Sequence, residues 1–286
     1  MVRFDWYQAT VGAPIPDVRD CLAQMVDRPV WERQKARQGY AQAENLVGPD
    51  GTAAQLWWGG SHTFPHVVLS GGDAHEGAML LRERFPEVQA VSRVDSCIDY
   101  LEPDAYERLQ GLALQVAGDQ KVKVGTAGDH LLTMKGRTVY VGAPSSHTRL
   151  RIYDKAEQLR GLFAKDPARL AEVPDSLTRF ECQVRPQTSM ARYEASKADP
   201  MAIMGSAKWM RILMGMVAGV DLEPWQAGKV WRQSDDDRAL AAVLAQYGGM
   251  FKRMHEDLGS WECVGLQLGQ ALSDRAEAVR MGTTRR

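Results

Sequence analysis

Alternation of apolar and polar residues runs through the first two thirds of the chain. It predicts strands over residues 4–11, 55–58, 67–70, 90–100, 120–126, 138–141, 149–154 and 178–185. Gly59-Gly60 and Gly71-Gly72 punctuate the early strands as turns. Helical spacing predicts helices over 16–26, over 104–117 with Asp104 at the N-cap, and over 155–170, with Pro174 marking the exit of the last. A strand-helix-strand-strand order thus occurs twice. It predicts an α+β fold of two pseudo-repeated β-α-β-β halves, about 1–89 and 90–195, forming antiparallel sheets. After Pro186 the pattern changes, and Met-, Ala-, Lys- and Trp-containing helices are expected over 201–217, 223–229, 236–257 and 262–279, ahead of a frayed basic tail at 280–286. The expected division is a domain of 1–195 followed by a helical C-terminal region of 196–286.

Composition narrows the function only slightly. An apolar share of 44% and a charged share of 25% are those of an ordinary globular protein, and a net charge of -1 leaves nucleic-acid binding to a local stripe of Arg and Lys. Cys21, Cys97, Cys182 and Cys263 are far apart, with no CxxC pair, which argues against structural zinc. The first residues lack the apolar stretch of a secretion signal, and the oily segment at 210–220 contains Arg211 and is too short to span a bilayer. The expectation is a cytoplasmic protein with free thiols and no membrane association.

Three strands carry the candidate chemistry. In the 149–154 strand, alternation puts Arg149, Arg151 and Tyr153, with Lys155 beyond them, on one side and Leu150 and Ile152 on the other. In the 178–185 strand, Phe180, Cys182 and Val184 oppose Arg179, Glu181, Gln183 and Arg185. In the 92–100 stretch, Val94 and Ile98 oppose Arg93, Asp95, Cys97 and Asp99. If the polar sides belong to one sheet, Tyr153, Asp95 and Glu181 converge among arginines. Such a cluster suits phosphodiester transfer, since a phenol needs a base, a metal or nearby cations to become a nucleophile. Two carboxylates suit Mg²⁺ or Mn²⁺, and guanidinium groups suit flanking phosphates. Other readings of the same residues stay open: a solvated cross-strand ladder, a tyrosine on an amphipathic edge, or Asp95 as the ion-pair partner of Arg179.

Four motifs recur in order: Arg93-Val-Asp95-Ser-Cys-Ile-Asp99, Gly136-Arg-Thr-Val-Tyr140-Val-Gly142, Leu150-Arg151-Ile-Tyr153-Asp154-Lys155-Ala-Glu157, and Arg179-Phe-Glu181-Cys-Gln-Val-Arg185. With the opening Asp5-Trp6-Tyr7-Gln-Ala-Thr10, they resemble the replication initiation factor family of the Rep-trans type over residues 4–192. That family comprises rolling-circle initiators of plasmids and filamentous phages and related relaxases of conjugative elements. The resemblance implies metal-dependent nicking of one strand at an origin, with Tyr153 as nucleophile and a 5′-phosphotyrosine intermediate. It also implies Asp95 and Glu181 as ligands of Mg²⁺ or Mn²⁺, with Asp99 or Glu157 assisting. Arg93, Arg149, Arg151, Lys155, Arg179 and Arg185 would then contact DNA. Implied partners are origin DNA, with the nicked strand single-stranded or in a hairpin, and a host or element helicase. A homodimer is compatible with the sequence. The alternatives are a conjugative relaxase with the same chemistry or a non-catalytic origin-binding protein.

The chain departs from many rolling-circle nickases in lacking a His-hydrophobic-His pair. His62 and His66, separated by Thr-Phe-Pro, are expected in a loop before a strand, and Ala143-Pro144 stands where the family often carries a serine and a basic residue. Core packing is expected for Trp57 and Trp58, with at most one free to stack on a base, and for the methionines of 201–216. Lys208, Arg211, Lys229 and Arg232 are expected on solvated helix faces, and Asp235-Asp236-Asp237 at a helix N-terminus.

Overall fold

The computed structural model describes residues 1–49, 51–228 and 235–280. The chain divides into two compact units, Met1–Val230 and Trp231–Arg286.

The first unit opens with β1 (Val2–Val11), α1 (Ile15–Ala23), β2 (Val30–Arg33), β3 (Gln42–Gly48), β4 (Gly51–Trp58), β5 (His66–Ser70) and α2 (Ala74–Arg84). It then repeats itself with β6 (Gln89–Tyr100), α3 (Ala105–Asp119), β7 (Val124–Ala127), β8 (Thr138–Val141), β9 (Thr148–Asp154), α4 (Lys155–Leu162), α5 (Pro167–Ala171), β10 (Thr178–Val184) and α6 (Ser189–Lys197). The strands form one antiparallel sheet in the order β2-β3-β4-β5-β1-β6-β10-β9-β8-β7. Outward from the central pair β1 and β6, the two halves follow the same order, so the expected repeat is present but longer than β-α-β-β. It is one continuous sheet rather than several.

One face of the sheet carries the core. Phe4, Tyr7, Leu56, Leu69, Val94, Leu150, Ile152 and Phe180 pack against Leu22, Leu81, Leu109 and Ala113 of the helices. A β-bulge at Asp5 interrupts alternation between Phe4 and Trp6, which lets Phe4 and Tyr7 both face the core.

Several sequence expectations are corrected. The helix α2 buries Ala74, Gly77, Ala78 and Leu81, a stripe of small residues with little hydrophobic signal. A Cβ on Gly77 would lie 2.7 Å from Met25 Cε, so the small residue permits close helix packing. The helix α6 likewise buries Ala191 and Ala195, with Thr188 capping it through the N–H of Ala191. The expected 155–170 helix is two helices, because Asp166 caps a new start at Pro167. The 120–126 strand begins only at Val124, after α3 ends and Lys121 turns at positive φ.

Nor is 201–217 one helix. It comprises α7 (Pro200–Ile203), a 3₁₀ turn at Met204–Ser206 and α8 (Lys208–Ala218), separated by extended Ala207. Ile203, Met204, Met210, Leu213 and Met214 are buried in the core of the first unit, which therefore continues past residue 195. Residues 223–227 are irregular rather than helical. This segment lies so close to the 3₁₀ turn that a Cβ on Gly205 would be 2.4 Å from Glu223 O.

The second unit contains α9 (Asp235–Leu258) and α10 (Trp261–Arg280), joined through Gly259 and Ser260. Gly259 N–H donates to His255 O, and Ser260 Oγ accepts from Cys263 N–H, which closes α9 and starts α10. Lys229, Arg232, the side chains of the Asp235-Asp236-Asp237 run and residues 281–286 lie outside the described residues. No described helix is long and apolar enough to cross a membrane, and none of the four cysteines is in a disulfide.

Candidate active site

The sheet face opposite the helices is polar in the second half, and strand order determines what meets there. The strand β10 lies between β6 and β9, with Glu181 opposite Cys97 on one side and Arg151 on the other. Asp95 is opposite Gln183, which makes Asp95 and Glu181 diagonal neighbours within reach of long side chains. Tyr153 is opposite Arg179. The three strands that the sequence singles out are therefore adjacent.

Tyr153 is only 5% exposed, and its Oη donates to Glu181 Oε2 at 3.2 Å. Arg151 Nη2 donates to both oxygens of Glu181, at 2.8 and 2.7 Å, and its guanidinium lies 4.5 Å from the Tyr153 ring centroid. Burial, and secondarily the Glu181 charge, push the Tyr153 phenol above its ordinary range. Burial also raises the carboxyl of Glu181; Arg151 opposes this, while Asp95 adds to it. The neutral phenol is therefore favoured in the resting protein, with Glu181 accepting its hydrogen bond.

Asp95 is held by Arg93, through Nε at 3.0 Å and Nη2 at 2.5 Å, and by Gln183 Nε2 at 3.3 Å. Burial raises its carboxyl despite these donors. Arg93 also stacks 4.3 Å over Trp6. Asp95 is thus partnered by Arg93 rather than Arg179.

Arg179, which the resemblance offers as a DNA contact, is 4% exposed and sits between two acids. Its Nη1 donates to Asp5 Oδ1 at 2.5 Å, and its Nε and Nη2 donate to Asp99 at 2.7 and 2.8 Å. Arg3 Nη2 adds a further contact to Asp99 at 2.5 Å. Burial raises the Asp99 carboxyl, but the two arginines together hold it below its usual range. Asp5 and Arg3 have no place among the residues selected from sequence. Alternation counted back from the buried Tyr7, Ala9 and Val11 puts Asp5 on the core side, and the bulge between Phe4 and Trp6 is what turns it to this face.

The remaining candidates are distributed differently. Lys155 is the first residue of α4 rather than a strand residue, donates to Gln158 Oε1 at 2.8 Å, and has its ammonium lowered by burial and by Arg179. Asp154 caps the same helix through Glu157 N–H. Glu157 accepts from Gly136 N–H at 2.6 Å and so ties α4 to the β7–β8 connection. Arg149 stacks 3.9 Å over Tyr140, and exposed Arg185 donates to Pro144 O. A cavity of about 310 Å³ opens beside the cluster, walled by Gly136, Thr138, Tyr140, Arg151, Tyr153 and Glu157. Tyr153 is thus buried but forms part of a cavity wall.

Among the described residues, no group of three or more His, Cys, Asp or Glu side chains has a metal-holding arrangement. Two carboxylates with water and phosphate oxygens are, however, a common complement for Mg²⁺. In this structure each of the two buried carboxylates, Asp95 and Glu181, is engaged by a guanidinium, Arg93 on the first and Arg151 on the second.

The other half of the same face is chemically different. His66, expected in a loop, begins β5 and is buried, with Gln8 Nε2 at 2.9 Å and Thr10 Oγ1 at 3.1 Å from its two ring nitrogens. Tyr40 stacks on exposed His62 at 3.9 Å and lies near His66 and Trp57. Trp57 is packed with Ala43 and Val68 on this face, and Trp58 packs against the main core.

No protein-family model and no curated protein matches the chain. Among solved structures, the chain is similar to a rolling circle replication initiator protein from Geobacillus stearothermophilus. The TM-score is 0.50 at 16% identity, covering 83% of this chain and 90% of that one. The likeness shows a shared fold.

Proposed function

We propose that this chain is a rolling-circle replication initiator that nicks one DNA strand, with Tyr153 as nucleophile. The observation that carries the reading is the hydrogen bond from Tyr153 to Glu181, on the polar sheet face of a fold shared with a rolling circle replication initiator. Glu181 Oε2 would take the phenolic proton as Tyr153 Oη attacks the scissile phosphorus. A bond from Oη to phosphorus forms while the bond to the 3′ oxygen breaks. The protein is left on the 5′ end, and the other end departs as a 3′-hydroxyl after taking up a proton. Arg151 would hold Glu181 in place, and Arg93, Arg149 and Arg185 would contact the backbone phosphates. If Asp95 and Glu181 instead hold a divalent metal, Mg²⁺ or Mn²⁺, it would supply charge neutralisation at the phosphoryl oxygens, and the phenolic proton would pass to water rather than to Glu181.

The test is incubation with single-stranded and supercoiled DNA in Mg²⁺ or Mn²⁺, followed by denaturing electrophoresis for a covalent adduct. Tyr153→Phe is expected to remove both cut and adduct while costing only about 1 kcal/mol of stability, since one hydrogen bond is lost. Retained nicking in that variant would defeat the proposal. The low exposure of Tyr153 favours a second reading, an origin-binding protein that does not cut. It predicts DNA binding with no adduct under any metal condition. A relaxase serving conjugative transfer would give the same adduct and is separated by a transfer assay run beside an origin-replication assay.

A further inference from the structure

The connection between β7 and β8 projects three aliphatic side chains from a tightly bonded turn. Leu131 is 86% exposed, Leu132 88% and Met134 49%. Exposed aliphatic side chains in a frayed loop are commonplace, but this turn is internally fixed. Asp129 accepts from the N–H groups of Leu131, Leu132 and Thr133 and from the Thr133 hydroxyl, at 2.8 to 2.9 Å. Asp129 N–H donates to Lys135 O across the base of the turn. Gly128 approaches so closely that a Cβ there would be 2.1 Å from Gly136 O. Glu157 then bonds Gly136 N–H and joins the turn to α4. The leucines are therefore presented on a rigid support, so little ordering entropy remains to be lost when they are covered.

The base of the turn is also part of the candidate site. Gly136 and Thr138 form one wall of the cavity to which Tyr153 and Arg151 contribute another. Lys135 is exposed at the same base. Apolar wedges flanked by cations suit insertion between base steps, because the side chains replace a stacking contact while the cations meet the phosphates.

We propose that the Leu131-Leu132 tip is a wedge that unstacks duplex DNA beside the Tyr153 cavity and delivers one strand to it. This inference rests on the nicking reading for its biological purpose, but it concerns different residues and a separable step. It predicts that duplex substrates, unlike single-stranded ones, require the tip.

The experiment uses the full chain carrying Tyr153→Phe, so that no cut intervenes, with a relaxed duplex bearing 2-aminopurine beside a flexible TA step. Binding is measured at low salt, where affinity is independent of sequence. A fluorescence rise on binding is expected, most of it lost in L131S/L132S at equal bound protein and partly lost in D129A, which frees the turn but keeps the leucines. Both substitutions are on the surface, and an unchanged Tm would exclude misfolding. An equal rise with and without the leucines, or no rise in either protein, overturns the wedge, whatever other partner the tip then takes. In chains retaining Tyr153, L131S/L132S should leave adduct formation on single-stranded DNA unchanged, and its loss would overturn the wedge in favour of a role within the site. If the native chain forms no adduct while the duplex signal persists, nicking fails and the wedge stands.

Discussion

The two halves of the sheet share strand order and helix placement, but they fill the same face in opposite ways. In the first half, Tyr40, Trp57 and Val68 pack together, and His66 satisfies both ring nitrogens within the protein as a neutral group. On the second half, Asp95, Asp99 and Glu181 meet Arg93, Arg151 and Arg179, and Asp5 and Arg3 join them from the adjoining end of β1. Buried ion pairs stabilise a fold no better than well-packed apolar groups, because desolvation offsets most of the attraction. The part of the face around Trp57, Val68 and His66 is largely neutral in the same sheet. Sheet packing alone therefore does not account for the charge in the second half, and the proposed contact with phosphate would.

Three measurements sharpen or break this contrast. The largest effect is expected at Arg179. Arg179→Met leaves Asp5 and Asp99 facing each other with Arg3 bonded to Asp99 and Lys155 nearby, and should cost about 3–5 kcal/mol in urea unfolding. A loss below about 1 kcal/mol, similar to that of a surface charge, would mean that Arg179 is free to serve DNA after all.

The second measurement concerns the neutral half. Burial lowers the His66 imidazole from its ordinary value to about 4, with His62 adding to the effect. A histidine whose folded value is depressed contributes full stability above the unfolded value. That contribution is lost as pH falls through the folded value. Between about pH 6.5 and pH 4, unfolding should therefore become easier by up to about 3 kcal/mol, and His66→Gln should remove that slope. Identical pH profiles in the two proteins would show that His66 is not the source of the slope.

The smallest effect is expected from Arg149, half-exposed over Tyr140. Arg149→Ala should reduce the slope of log K against log salt for DNA binding by about one and barely alter stability. An unchanged slope would show that Arg149 meets no backbone phosphate.

Much of the site is legible in the sequence because it is local. Alternation within β6, β9 and β10 sorts Asp95, Tyr153 and Glu181 to the polar sides of their strands, with Leu150, Ile152, Phe180 and Val184 to the core. Long amphipathic strands with branched or aromatic residues make that pattern clear. The helices α2 and α6 are not legible, since alanine and glycine stripes bury little apolar area and give a weak periodic signal. Asp5 is missed for another reason: a bulge is an insertion relative to a partner strand, and a single strand read alone has no partner.

The sequence by itself determined which face of each strand is oily and which is charged, because successive side chains point to opposite sides of any extended chain. Only the tertiary structure decided that β10 lies between β6 and β9. It alone directed Arg151 to Glu181 and Arg179 to Asp99 and Asp5. Those pairings depend on cross-strand register between segments distant along the chain. Alternation is indifferent to register, so the same residues at other offsets would have given the same pattern and a different site.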